Sequence, residues 1–284
     1  MPGLARAANP LVGRFRSVFR GRGMEFEETR PYQPGDDIRN MDWKVTARTG
    51  EPHSKVFREE RERPVILVVD LNPPMAFGTR VAFKSVVAAQ LAGLLGWVAA
   101  LAGDRIGGVV LAADGLVLCR PAGGERGLLP LLRALAARQP LPGDARPGAS
   151  LADGLARLRR VARPGTLIFI LSDFTALDAA AGRLLGLLAP HNTLMGVMLY
   201  DALEMALPAE GMFSFTDGRR VLQLATGTTK IRDRHQQRFH ERQEAVTALF
   251  GRHAAPLLTL ATHQPATEFL RREMHPLLLR RGKR

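Results

Sequence analysis

Two aspartates and two neutral oxygen donors have the types and positions of a hard-cation site. Asp70 ends the apolar run PVILVVD, and Asp173 ends the run TLIFILSD. In an open parallel sheet the C-terminal strand ends lie along one edge, where such sheets take ligands, so both carboxylates can reach one crevice. Asn72 offers an amide oxygen two residues after Asp70, and Ser150 offers a hydroxyl after the loop PLPGDARPGA. An all-oxygen set of this kind suits Mg2+. The same residues have plainer uses: Ser150 sits where a helix N-cap is expected, and a carboxylate after a strand can cap the next helix. Spacing leaves both uses open, and Asn72-Pro73-Pro74 is an unusual continuation for a metal or phosphate loop.

Other chemistries have less support. A phosphoryl-accepting Asp70 would need further acids and a positioned lysine, and Asn72 is not an acid. The nucleophile elbow G-x-S-x-G, the P-loop and G-x-G-x-x-G are missing from the sequence. None of the seven histidines forms H-E-x-x-H, and His235 and His240 are five apart, off a common helical face. Cys119 is the sole cysteine and sits in the apolar LVLC. It is expected in the core, excludes an intrachain disulfide or a multi-cysteine zinc site, and fits a reducing, cytoplasmic setting. The enzymatic reading left is a metal-dependent phosphohydrolase on Asp70 and Asp173.

The elements that must position these residues alternate. The runs 64–70, 166–173 and 192–200 have continuous apolar stretches, as parallel strands covered on both faces require. Helical patterns lie between them at 80–102, at 125–138 with Pro130 placed in its first turn, at 151–162 and at 176–189. Asp114-Gly115 predicts a hairpin within 106–120, and a second hairpin spans 212–224. A charged helix is predicted over 229–251, a last strand in PLLTLAT and a last helix over 265–280. The alternation predicts an α/β fold: a doubly wound, mostly parallel sheet with an antiparallel edge hairpin. Residues 85–102 are uncharged and long enough to span a membrane, but Gln90, many small residues and the flanking Asp104-Arg105 favour a helix packed on the sheet. The N-terminus lacks the continuous apolar stretch of a signal peptide.

The chain of 284 residues divides into a basic tail (1–20), an extended segment packed on the main domain (21–63), the α/β domain (64–262) and a C-terminal helix with a basic tail (263–284). Residues 21–63 hold ten acids and nine bases, and 54–62 read as an edge strand. Within them Arg30, Tyr32, Gly35, Asp36, Asp37, Arg39, Asp42, Trp43 and Arg48 suggest a charged network around aromatics, pinned onto the domain or, second, onto a partner. The net charge is +13 and arginines crowd both ends. That balance admits nucleic acid or an anionic surface as a partner, though solvated ends explain it as well.

The blocks FEETRPYQPGDDIRNMDWKVTART, KVFREERERPVILVVD and GDRIGGVVL resemble the signature of the family called domain of unknown function 58. The resemblance is close over about residues 21–124, and the order of elements continues to about 200. That family is similar to von Willebrand factor type A domains, which carry a metal-ion-dependent adhesion site, and its members are regarded as partners of MoxR-type AAA+ ATPases. The resemblance implies a soluble, non-enzymatic interaction module, an adaptor in assembly or remodelling of client proteins. In the type A motif D-x-S-x-S, Asp70 matches the first position, while Asn72 and Pro74 replace the serines. Ser150 matches the second-loop position and Asp173 the final acid. The implied metal site is therefore degenerate: no cofactor is required and at most weak Mg2+ binding is expected.

Overall fold

The structure is a computed structural model that describes residues 24–34, 36–59, 62–143, 148–216 and 221–274. The basic tail 1–20, Gly35 and the basic stretch 275–284 lie outside the described residues. In chain order the strands are β1 (Met24–Pro31), β2 (His53–Glu59), β3 (Pro64–Leu71), β4 (Arg105–Ala112), β5 (Gly115–Gly123), β6 (Leu167–Ser172), β7 (Thr193–Tyr200), β8 (Met212–Thr216), β9 (Val221–Ala225) and β10 (Leu257–Ala261). The helices are α1 (Trp43–Thr49), α2 (Lys84–Leu101), α3 (Glu125–Ala137), α4 (Leu151–Arg159), α5 (Ala179–Leu188), α6 (Ala202–Met205), α7 (Thr229–Arg252) and α8 (Ala266–Phe269).

Six strands form one sheet in the order β10-β7-β6-β3-β4-β5, parallel except for the β4–β5 hairpin. The expected doubly wound α/β sheet with an antiparallel edge hairpin is thus borne out. Because strand side chains alternate between faces, each apolar run feeds two cores. Val65, Leu67, Val69 and Leu71 of β3 meet Val87, Leu91 and Leu95 of α2, Leu128 and Leu131 of α3, and Phe269 of α8. Ile66 and Val68 face Leu155 of α4, Leu185 of α5 and Phe250 of α7. A strand with apolar side chains on both faces has no wet side, which is why β3, β6 and β7 show no polar alternation.

Several boundaries differ from expectation for local reasons. The loop of the first hairpin is Ala113-Asp114, and Gly115, at φ 117°, opens the return strand. The register shifts between Ile106 and Gly108, leaving Arg120 and Pro121 opposite Gly107 as a bulge. Pro130 lies sixth in α3, beyond the first turn, and the helix accommodates it. The helix predicted over 265–280 is α8 followed by a wider turn to Met274. α2 is long and apolar enough to cross a membrane, and half of it is buried on the sheet.

The segment before the sheet has regular structure of its own. β1 and β2 pair antiparallel in their own two-stranded sheet, so the strand expected at 54–62 joins β1, not the main sheet. α1 closes this unit through His53, whose amide donates to Thr46 Oγ1 at 3.0 Å. Arg232 at the head of α7 donates to the carbonyls of Ala209 and Thr226, both at 2.6 Å, tying the β8–β9 hairpin to that helix.

Close approach of α3 to the sheet depends on Gly127, where an added Cβ would run into the carbonyl oxygens of Ala122 and Ile106. Both obstacles are backbone and cannot swing away. Gly127→Ala is expected to cost about 1–3 kcal/mol, read as a lower midpoint in urea with an unchanged slope.

Candidate functional site

The chain runs from β3 to β4 and β5 on one side and returns to β6, β7 and β10 on the other. The direction therefore reverses between β3 and β6, the switch point where open α/β sheets form their crevice. Asp70 at the end of β3 and Ser172-Asp173 at the end of β6 line it, with Asp201 at the end of β7 beside them.

The structure brings the expected residues together but engages each internally. Asp70 Oδ1 accepts from the Asn72 amide at 3.0 Å and from Asn72 Nδ2 at 2.8 Å, and Oδ2 accepts from Ser172 Oγ at 2.7 Å. Asn72 Nδ2 also donates to the Ala149 carbonyl at 2.9 Å, which draws the Ser150 loop to the crevice. Asn72 thus turns its amide nitrogen, not its oxygen, towards Asp70, and that oxygen is buried with no hydrogen bond. Ser150 is the N-cap of α4, in a capping box: its Oγ accepts from the Asp153 amide at 3.0 Å and donates to Asp153 Oδ2 at 2.7 Å. Burial and the nearby Asp173 carboxylate push the Asp70 carboxyl above its ordinary range, against the hydrogen bonds from Ser172 and Asn72.

Asp173 is paired with a buried lysine. Lys84 Nζ donates to Asp173 Oδ2 at 2.6 Å and to Glu204 Oε1 at 2.9 Å, with the Lys84 and Asp173 side chains each only 1% exposed. The other Asp173 oxygen accepts from the Thr175 amide at 3.0 Å and hydroxyl at 2.8 Å. Burial raises the Asp173 carboxyl, but the Lys84 charge and these bonds outweigh it and the net shift is downward. The ammonium also lies 5.9 Å from the centre of the Phe77 ring. Removing one partner of so buried a pair costs about 3–5 kcal/mol, because the survivor keeps its charge and loses its counter-ion. Phe174, next in the chain, has φ 54°, a strained value for a bulky residue, and is held by an edge contact to Phe250 at 5.5 Å.

These residues do not fit a divalent cation as arranged. An ammonium already holds one Asp173 oxygen, Asn72 presents N–H groups to Asp70, Ser150 is closed into its capping box, and Pro74 has no side-chain oxygen. Among the described residues no cluster of three His, Cys, Asp or Glu side chains could hold a metal ion.

Reasoning from the sequence missed Lys84, Glu204, Asp201 and the threonines that bind Asp201. Asp201 accepts from Thr79 Oγ1 at 2.6 Å, the Thr79 amide at 3.0 Å, Thr262 Oγ1 at 2.6 Å and the Leu203 amide at 2.9 Å. Burial raises its carboxyl, but the Thr262 and Thr79 hydrogen bonds win and hold it below its ordinary range. Arg242 of α7 stands 3.9 Å from Glu204. One signal was available: Lys84 heads a long uncharged helix, at the end where the helix dipole disfavours a cation, so it needs carboxylates nearby.

Several of the family-signature residues make local bonds. Arg30 pairs with Asp36 at 2.8 Å, and the Tyr32 amide donates to the Pro52 carbonyl at 2.8 Å. Asp42 caps α1 through the Lys44 and Val45 amides, and the Val45 bond leads the causes that hold its carboxyl below its ordinary range. Asp37 opens, and Arg39 lies within, the tight turn Ile38–Asn40, while Arg48 sits in the last turn of α1. Trp43, expected to be pinned, is 66% exposed, because Asp42 places it first in α1 on the solvent side.

The Asp70 shift has a consequence for stability. A carboxyl raised in the fold is destabilising when ionised, and that penalty grows as pH climbs past the ordinary carboxylate range. Asn keeps the acceptor for the residue 72 amide and can donate to Ser172. Asp70→Asn is therefore expected to raise the thermal midpoint at pH 7, with the gain vanishing under acid conditions where wild-type Asp70 is protonated. Midpoints measured against pH for both proteins check this.

The chain is 31% identical over 255 residues to the uncharacterized protein Rv1480 of Mycobacterium tuberculosis and to the uncharacterized protein Mb1516 of Mycobacterium bovis, covering 89% of this chain and 79% of each relative. Among solved structures it is similar to the conserved hypothetical protein BatB from Bacteroides thetaiotaomicron, with 14% identity, 77% of this chain and 99% of that chain covered, and a TM-score of 0.49. It is also similar to the VWA domain of SpRpn10, with 9% identity, 75% and 96% covered, and a TM-score of 0.40. The model of the family described as "Protein of unknown function DUF58" matches residues 28–245, and with these relatives it shows that the chain belongs to that family.

Proposed function

We propose that this chain is a non-enzymatic protein-interaction module of the cytoplasm, an adaptor for a MoxR-type AAA+ ATPase in assembly or remodelling of a client protein, docking through the strand edge around Asp70 and Asp173. The observation that carries the docking site is a rigid, partly apolar rim at that edge. Thr79 is bonded to Asp201 and Lys84 to Glu204, so the intervening loop is stapled to β7–α6 at both ends. Between the staples Val81 is 73% exposed and Phe83 is 37% exposed, and Met205 beside Glu204 is 39% exposed. Exposed apolar residues on a loop already ordered bind with little further entropy loss, as partner surfaces do. The choice of ATPase rests on the family resemblance. Both Asp70 oxygens accept hydrogen bonds and Asp173 is paired, which supports a binding edge.

The test measures binding of the full chain to a MoxR-type ATPase from the same organism. Wild type is expected to bind, and Val81→Glu/Met205→Glu to bind at least about tenfold more weakly at an unchanged thermal midpoint. Failure of wild type to bind refutes the partner, and equal binding by the variant refutes the surface.

A further inference from the structure

We infer that the Lys84 ammonium is the resident cation of this strand edge, and that the edge takes no divalent metal ion. The ammonium lies 2.6 Å from Oδ2 of Asp173, the residue that matches the last acid of the type A motif, and is as buried as the carboxylate it neutralises. All four oxygens of Asp70 and Asp173 are already engaged by chain donors. An incoming ion would have to displace the ammonium from Asp173, and the repulsion between the two cations would act among groups almost wholly buried. The nearest other acid, Glu204, is drawn to the same ammonium at 2.9 Å.

A lysine differs from a metal ion in two ways that matter at a binding edge. It cannot leave, so its charge is present at every metal concentration. It also has no open coordination position for a partner's carboxylate. Three elements meet at its head group: α2, which carries it, the loop after β6 through Asp173, and α6 through Glu204. The tether holds the edge in one arrangement without any added ion. This goes beyond the docking proposal and stands whether or not an ATPase is the partner.

Titrating Mg2+ and Mn2+ into the full chain by calorimetry tests the absence of a metal. Wild type is expected to give no saturable heat, and its thermal midpoint should be the same in EDTA as in millimolar Mg2+. Saturable heat in wild type that disappears in Asp173→Ala overturns the inference. The second arm removes the ammonium while keeping its apolar stem. Lys84→Met is expected to lower the midpoint by about 10 °C. Adding Asp173→Asn should restore part of that loss, because the orphaned charge is then neutral. Should Lys84→Met fail to fold, the same comparison is made by yield of folded protein. A Lys84→Met chain as stable as wild type, or a double variant no better than Lys84→Met, overturns the inference.

Discussion

The buried contact between the Lys84 ammonium and Asp173 is the constraint on which the C-terminal edge depends. Charges removed from water must find partners within the fold, and here the partners come from separate stretches of chain. The start of α2, the turn after β6 and the short α6 cannot shift independently without breaking a charged hydrogen bond. Asp201 adds a neutral counterpart: its carboxylate joins the loop after β3, the head of α6 and Thr262 after β10. Together the two acids stitch the ends of the central strands to their neighbours on one side of the switch point.

Asp70 lacks such a partner. Its donors are a side-chain amide, a backbone N–H and a hydroxyl, and the charge that acts on it is another carboxylate, Asp173. A carboxylate held without a cation beside a well-paired one is a local cost that the apolar sheet beneath it sustains. Phe174 is a second cost at the same place, a left-handed backbone held by packing on Phe250. Strained and under-compensated groups gather where a surface has been shaped for something other than stability.

Much of the fold was legible in the sequence because it rests on local pattern. The runs ending in Asp70, Ser172 and Tyr200 are too uniformly apolar for anything but covered strands, and their spacing fixed the alternation with helices. Asp70, Asn72 and Asp173 were also legible as neighbours, since strand ends share an edge. What they do there was not. The role of Asp173 depends on Lys84, 89 residues away in sequence, and that of Asn72 on which end of its amide faces Asp70. In the signature segment the unlike charges were legible as a network, but not which pairs close: Arg30 meets Asp36, and Asp42 caps α1.

The bulge in β5 limits how another chain can approach this protein. β5 is an outer strand of the sheet, and an outer strand ordinarily offers a free row of amides and carbonyls for pairing. Here the bulge sets Arg120 and Pro121 in that strand, one exposed and charged, the other with no amide hydrogen to give. The ladder is interrupted where an added strand would need continuity. Growth of the sheet sideways, whether by a client peptide or by a second copy, is thereby discouraged along this border.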